Sequence, residues 1–248
     1  MGLACQLSIQ AATVAAGCAL YWLYKRLSKP KSVKLTYFDV RATPGEKIRL
    51  ALALSGTPFE DNRIKFADWP ALKPKTKYGA MPFAEIDGVE YAQSGAILRW
   101  AGGLGDGSLY PSGMAERMKV EEMLGVSDDL QRAWTPAFYM SMKPEQFGYT
   151  KETAPVQKLR EKFMKEEFGK FITFIENELK QTGAFVCGAK PTIADCQLYP
   201  QIHYFSRGIA DFVPKDSLEP FPLTRAWIAR MQALPAVKEF ETKAGYNA

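Results

Sequence analysis

Histidine is nearly absent: His203 is the only one in 248 residues. That excludes a multi-histidine zinc centre and argues against a Ser-His-Asp triad. Cysteine is scarce too. Cys5, Cys18, Cys187 and Cys196 are scattered and form no Cys-x-x-Cys motif. This leaves neither a disulfide framework nor a thioredoxin-type redox pair, and points to reduced thiols in a reducing compartment. Acidic residues are missing from the first 34 positions, where Lys25, Arg26, Lys29, Lys31 and Lys34 supply all the charge. The formal net charge of +5 therefore belongs wholly to that stretch. The remainder is neutral and carries no electrostatic footprint for nucleic acid. Internal repeats and low-complexity segments are lacking as well.

Charge is also absent from 3–24, an apolar run followed by basic residues. Its length fits a membrane span of roughly 20 residues, and Tyr21, Trp22 and Tyr24 stand where an interfacial aromatic belt would lie. A secretory signal would carry its positive charge before the run, not after it. The expectation is a single-pass membrane anchor with a basic linker to residue 32, and the folded domain on the cytosolic or equivalent reducing side. A surface-lying amphipathic helix or a targeting segment is the alternative. Gln6 breaks the myristoylation pattern that Met1-Gly2 would begin.

Residues 33–248 read as an α/β half and then an all-α half. Residues 34–39 alternate as a strand. Thr43-Pro-Gly-Glu46 has the form of a capping box with Pro at the first helical position, and Ile48, Ala51 and Leu52 give the helix a buried face, widened by Leu50 and Leu54. Gly56 closes it. A second strand is expected over 59–64 and a Pro-interrupted turn over 68–73. A hairpin comes next, over 81–86 and 90–92 with Asp87-Gly88 as its turn, then a helix over 94–101 opened by Ser94 as N-cap. The Gly, Ser and Pro of 104–113 mark a linker. Beyond it, 114–142 reads as one long helix or a broken pair, 154–181 as a helix ended by Gly183, and 223–233 and 236–243 as the last two helices. Thr192-Ile-Ala-Asp195 is a second capping box. The domains are therefore 1–32, 33–103, 104–113 as linker, and 114–248.

Lys34-Leu-Thr-Tyr-Phe38, Phe59-Glu-Asp61, Ala67-Asp-Trp-Pro-Ala-Leu-Lys73, Met81-Pro82, Glu85-Ile-Asp-Gly88 and Gln93-Ser94 together resemble the glutathione transferase family, most closely its sigma-like, prostaglandin D synthase-type branch. The likeness implies a thioredoxin-like N-terminal domain and a helical C-terminal domain. It implies glutathione as co-substrate, no metal, a homodimer, and a role in detoxification. The second substrate would be an apolar electrophile, seated between the domains near Thr43, Trp134 and Tyr139. The likeness assigns Tyr37 to the sulfur. A free thiol has a pKa of about 8.5. A hydrogen bond to a charged acceptor is worth about 1.5–3 kcal/mol, so one hydroxyl donated to the sulfur lowers that pKa by about one to two units. Met81 and a cis Pro82 take the role of pairing with the tripeptide backbone. Gln93 and Ser94 would hold the γ-glutamyl carboxylate at a helix start, Trp69 and Lys73 the glycyl end, and Asp129 the γ-glutamyl amine of a neighbouring subunit.

The chain also departs from the family. Relatives often continue after the Tyr with Arg-Gly-Arg; here the run Arg41-Ala-Thr-Pro-Gly-Glu46 is one residue longer and Thr43 replaces the second Arg. Ala80 stands where a Lys or Gln is common. Gly125 replaces an acid of the prostaglandin synthase branch, which leaves a metal-assisted dimer site and prostaglandin D2 as product without support. These changes keep open a second reading, a non-catalytic subunit of a larger membrane complex.

Overall fold

A computed structural model describes residues 29–41 and 44–245. Four strands, β1 (Val33–Phe38), β2 (Glu60–Ile64), β3 (Phe83–Ile86) and β4 (Val89–Ala92), form one sheet in the order β2-β1-β3-β4. Strand β1 runs parallel to β2 and antiparallel to β3, and β3 and β4 make a hairpin. Strand β1 is paired along both edges, and Leu35, Thr36 and Tyr37 are all buried. At the hairpin turn Asp87 and Gly88 both have positive φ, 50° and 82°, which matches the twist of the flanking strands. The Asp87 carboxylate accepts the backbone N–H groups of Lys31 (2.7 Å) and Ser32 (2.9 Å) and so ties the chain entering β1 to this turn.

Helix α1 (Pro44–Leu54) buries Ile48, Leu50, Ala51 and Leu52, as the spacing predicts. The expected Thr43 cap lies outside the described residues. A short α2 (Trp69–Leu72) sits between two 3-10 turns, and α3 (Ser94–Gly102) comes after β4. Then the chain is helical: α4 (Met114–Met142), α5 (Val156–Phe163), α6 (Gly169–Thr182), α7 (Ile193–Ser206), α8 (Pro222–Ala233) and α9 (Pro235–Lys243). Helix α4 is one unbroken helix despite Pro136. The single helix expected over 154–181 is instead α5 and α6 joined by a π-helical turn, Met164–Phe168. In an α-helix residues five apart point about 140° away from each other. The wider turn brings Phe163 and Phe168 onto one face, where both pack on Phe205 at 5.6 and 5.0 Å between ring centroids. Trp134 joins this cluster, 5.1 Å from Phe205, and is core.

Among the described residues no helix is long and apolar enough to cross a membrane. The longest, α4, carries Glu116, Arg117, Lys119, Glu121, Glu122, Asp128, Asp129 and Arg132 along its length. The apolar run 3–24 lies outside the described residues, so the single membrane helix expected from the sequence has no counterpart here. Cys187 and Cys196 are free thiols; burial pushes Cys187 up to about 12 and Cys196 well above its usual range, which disfavours the thiolate in both.

The helical half is organised by Asp195, which is wholly buried. The Thr192–Asp195 capping box forms as expected. The same carboxylate also accepts the Val186 backbone N–H (3.0 Å) and the Trp227 indole N–H (2.9 Å). Replacing Asp195 by Ala removes the cap and leaves two buried donors unpaired, each a penalty of about 1–3 kcal/mol. The expected loss for Asp195→Ala is about 3 kcal/mol or more in urea unfolding. A loss under about 1 kcal/mol would remove Asp195 from this role.

Candidate active site

Strand register brings most of the singled-out residues to one end of the sheet. Thr36 pairs with Phe83, so the exit of β1, with Tyr37, lies beside the entry to β3 and Met81-Pro82. Phe83 also pairs with Ala92, which sets Gln93 and Ser94 at the same end. Tyr37 pairs with Arg63 on the parallel strand, which delivers the segment after β2 there as well. Phe66 stacks on Phe38 at 4.5 Å and Trp69 meets Phe38 edge-on at 5.8 Å. Lys73 is exposed, and its Cε lies 3.7 Å from the position a Cβ on Gly79 would take, alongside the chain that leads into Met81.

The Met81-Pro82 bond is cis. Met81 has no backbone hydrogen-bond partner among the described residues, so its N–H and C=O are open to an extended ligand. Ser94 is not the cap of α3. It is the first helical residue, and Gln93 is the cap, with φ 75° and no side-chain capping bond. A positive φ is uncommon for a residue other than glycine. It turns the Gln93 carbonyl toward the helix, where it accepts from Ala96 (3.0 Å) and Ile97 (3.1 Å). The N–H groups of Ser94 and Gly95 are left at the positive end of the helix, the usual place for an anion.

Tyr37 is held by the helix that comes after it. A Cβ on Gly45 would stand 2.3 Å from Tyr37 Cδ1, so the ring rests directly on the α1 backbone. The Arg49 guanidinium lies 5.9 Å from the ring centroid. Arg49 has no solvent exposure. It donates to the carbonyls of Phe38 (3.1 Å) and Val40 (3.3 Å) and pairs with Asp61 (2.9 Å) and Glu46 (3.4 Å). Just past β1, Arg41 reaches Glu241 on α9 at 2.7 Å, and the Tyr199 hydroxyl donates to the same carboxylate at 2.8 Å. His203 stacks on Tyr199. Burial, then the charges of Arg41 and Arg207, lower its pKa to about 4, so at neutral pH it is an uncharged packing residue.

Among the described residues Asp129 makes no contact with the residues gathered at this end. It is exposed on α4 and pairs with Arg132 of its own helix. Its neighbour Asp128, also exposed, accepts from Gln197 at 2.8 Å. Sequence reasoning missed Gly45, Arg49 and Lys47. Arg49 had a signal, a charge set among the buried positions Ile48, Leu50, Ala51 and Leu52, the mark of a buried ion pair. A cavity of about 630 Å³ between β2 and α9, lined by Phe59, Arg63 and Phe240 among others, contains none of the predicted residues.

Residues 33–102 match the glutathione S-transferase N-terminal domain family and residues 140–244 its C-terminal domain family. The chain is 30% identical to glutathione S-transferase 1 of Ascaris suum, over 82% of this chain and 98% of that protein. It is 32% identical to probable glutathione S-transferase 5 of Caenorhabditis elegans, over 84% and 95%. Among solved structures it resembles prostaglandin synthase D of Nilaparvata lugens, with a TM-score of 0.72 at 26% identity over 86% of this chain and 98% of that one. It also resembles the glutathione S-transferase from Ascaris lumbricoides, with a TM-score of 0.68 at 29% identity over 86% and 97%. The matched part of this chain accounts for these proteins almost end to end. Together with the lack of a crossing helix among the described residues, that overturns the single-pass membrane localisation and removes the ground for a membrane complex.

The contact between Gly45 and Tyr37 leaves no room for a methyl group. Overpacking of this kind costs about 1–3 kcal/mol. Gly45→Ala is expected to lower stability by that amount in urea unfolding, and an unchanged midpoint would show that the ring is not pinned against the helix.

Proposed function

The chain belongs to the glutathione S-transferase family, and on that premise we propose that it binds glutathione at the sheet end carrying Tyr37, ionises the thiol and transfers it to an electrophile with an apolar body. The family uses glutathione as co-substrate, and conjugation is the activity that membership supports. The observation that carries the assignment is the register of β1, β3 and β4. It sets Tyr37, Met81-Pro82 and Gln93-Ser94 at one end of the sheet.

In this reading the γ-glutamyl carboxylate sits on the free N–H groups of Ser94 and Gly95, beside Gln93. The cysteinyl backbone pairs with Met81, and the glycyl carboxylate lies toward Trp69 and Lys73. The sulfur then lies by Tyr37, whose hydroxyl donates to the thiolate and lowers the thiol pKa. The thiol proton leaves to solvent, the sulfur forms the new bond to the electrophilic carbon, and the displaced group or the carbanion takes up the electron pair. Asp129 serves only in a homodimer, where an exposed carboxylate of one subunit faces the glutathione amine of its partner. Residues 33–103 form the glutathione domain, 104–113 the linker and 114–248 the helical domain.

An ultraviolet difference titration of glutathione against the full chain at neutral pH tests this without a choice of electrophile. Saturable thiolate absorbance is expected. Tyr37→Phe is expected to raise the bound thiol pKa by about one to two units. No thiolate and no saturation from folded protein would sink the assignment.

A further inference from the structure

Lys47 is a cation of α1 that faces inward across the boundary between the two halves of the molecule. The other inward-facing cations of this region have carboxylate partners: Arg49 has Asp61 and Glu46, and Arg41 has Glu241. Lys47 has no ion pair among the described residues. Its Nζ donates to Gln197 Oε1 at 2.7 Å. The Gln197 amide nitrogen in turn donates to Asp128 at 2.8 Å, so the glutamine separates the cation from the nearest acid. An ammonium has three donors, so two remain. Burying a charge without a counter-ion is costly. Burial here lowers the Lys47 pKa to about 8, with Asp128 on α4 opposing the shift and Arg99 on α3 adding to it; Arg99 is itself paired with Glu121.

Those two donors border a cleft of about 70 Å³ lined by Pro44 and Lys47 of α1, Ser127, Asp128 and Gln131 of α4, and Gln197 and Gln201 of α7. Apart from Pro44 the lining side chains are polar. The volume suits a group the size of a carboxylate. Pro44 at its rim is next to Gly45, the residue on which the Tyr37 ring rests. The rim of the cleft is therefore next in sequence to the glycine that supports Tyr37.

We propose that this cleft receives an anionic group of the second substrate, so that the enzyme selects electrophiles whose apolar body ends in a carboxylate, with Lys47 as the counter-ion. The inference rests on the glutathione-transferase reading of the Tyr37 site. Lys47 supplies the charge and two N–H donors. Gln131, Gln201 and Ser127 line the rest of the cleft together with the Asp128 carboxylate, which accepts the Gln197 amide at 2.8 Å.

The test compares 4-chloro-3,5-dinitrobenzoate with the uncharged 4-chloro-3,5-dinitrobenzamide as partners of glutathione, using the full chain. In both, the sulfur bonds to the ring carbon bearing chlorine, chloride leaves with its electron pair, and the thiol proton goes to buffer. The quantity read is the ratio of kcat/KM for the acid over the amide, in which thiol ionisation cancels. The ratio is expected to fall at least about tenfold in Lys47→Met and to recover in part in Lys47→Arg. In the unmodified protein it is expected to fall about tenfold between about pH 7 and pH 9, because kcat/KM tracks the free enzyme and a group of pKa near 8 passes from mostly charged to mostly neutral across that range. This arm needs no variant, so a poorly folding Lys47→Met leaves the test intact. A ratio that is flat with pH, or a variant that slows both compounds equally, would overturn the proposal. Turnover of neither compound, with no thiolate formed, would overturn the glutathione reading and this inference with it.

Discussion

A guanidinium with no solvent contact sits where strand β1 gives way to helix α1. Arg49 holds the carbonyls of Phe38 and Val40, so the chain leaving β1 is fixed by two hydrogen bonds from one side chain. Asp61 and Glu46 balance its charge. A buried Arg of this kind is tolerable only when its donors are used and its charge is matched, and here both conditions hold. The consequence reaches the candidate site directly: Tyr37 rests against one face of α1, on the bare backbone at Gly45 and with the Arg49 guanidinium 5.9 Å from its ring centroid. A phenol that must meet a sulfur atom gains from this rigidity, because a hydrogen bond to a thiolate is directional and loses strength quickly with misplacement.

The second half of the chain does not merely cover the first. Arg41, three residues after the end of β1, is locked to Glu241 of α9, and Tyr199 of α7 locks the same carboxylate. Lys47, Gln197 and Asp128 bridge α1, α7 and α4. Both contacts fall on the segment around the start of α1. This end of the sheet is thus tied to the helical half through polar contacts, and the Arg41–Glu241 pair among them is largely shielded from water, where such bonds are stronger than at the surface.

Much of this was legible in the residues. The period-2 run of β1, the Asp87-Gly88 turn and the Thr192–Asp195 box are local signals, and the local geometry they predict is what forms. The convergence of Tyr37, Met81-Pro82 and Gln93-Ser94 was readable only through likeness to a family, because register is a long-range property. Three features escaped. Ser94 looked like a cap, but the backbone of Gln93 takes that position by adopting a positive φ that no pattern rule assigns to glutamine. Trp134 looked like a pocket wall, yet it is core, because Phe163, Tyr204 and Phe205 pack around it. Lys47 carries no signal of its own, since a lysine on an amphipathic helix is ordinarily solvated; its burial depends on α7 and α4, which are distant in the sequence. The membrane reading of 3–24 rested on hydropathy, the basic flank and the Tyr21, Trp22 and Tyr24 belt, and neither the described helices nor the relatives sustain it.

The central claim is spatial: one end of the sheet is a glutathione site built around Tyr37. A crystal structure of the full chain with glutathione bound tests it most directly. The account predicts the sulfur within hydrogen-bonding distance of the Tyr37 hydroxyl, the cysteinyl backbone paired with Met81, and the γ-glutamyl carboxylate on the N–H groups that open α3. Glutathione found elsewhere, or seated there with its sulfur turned away from Tyr37, would contradict it.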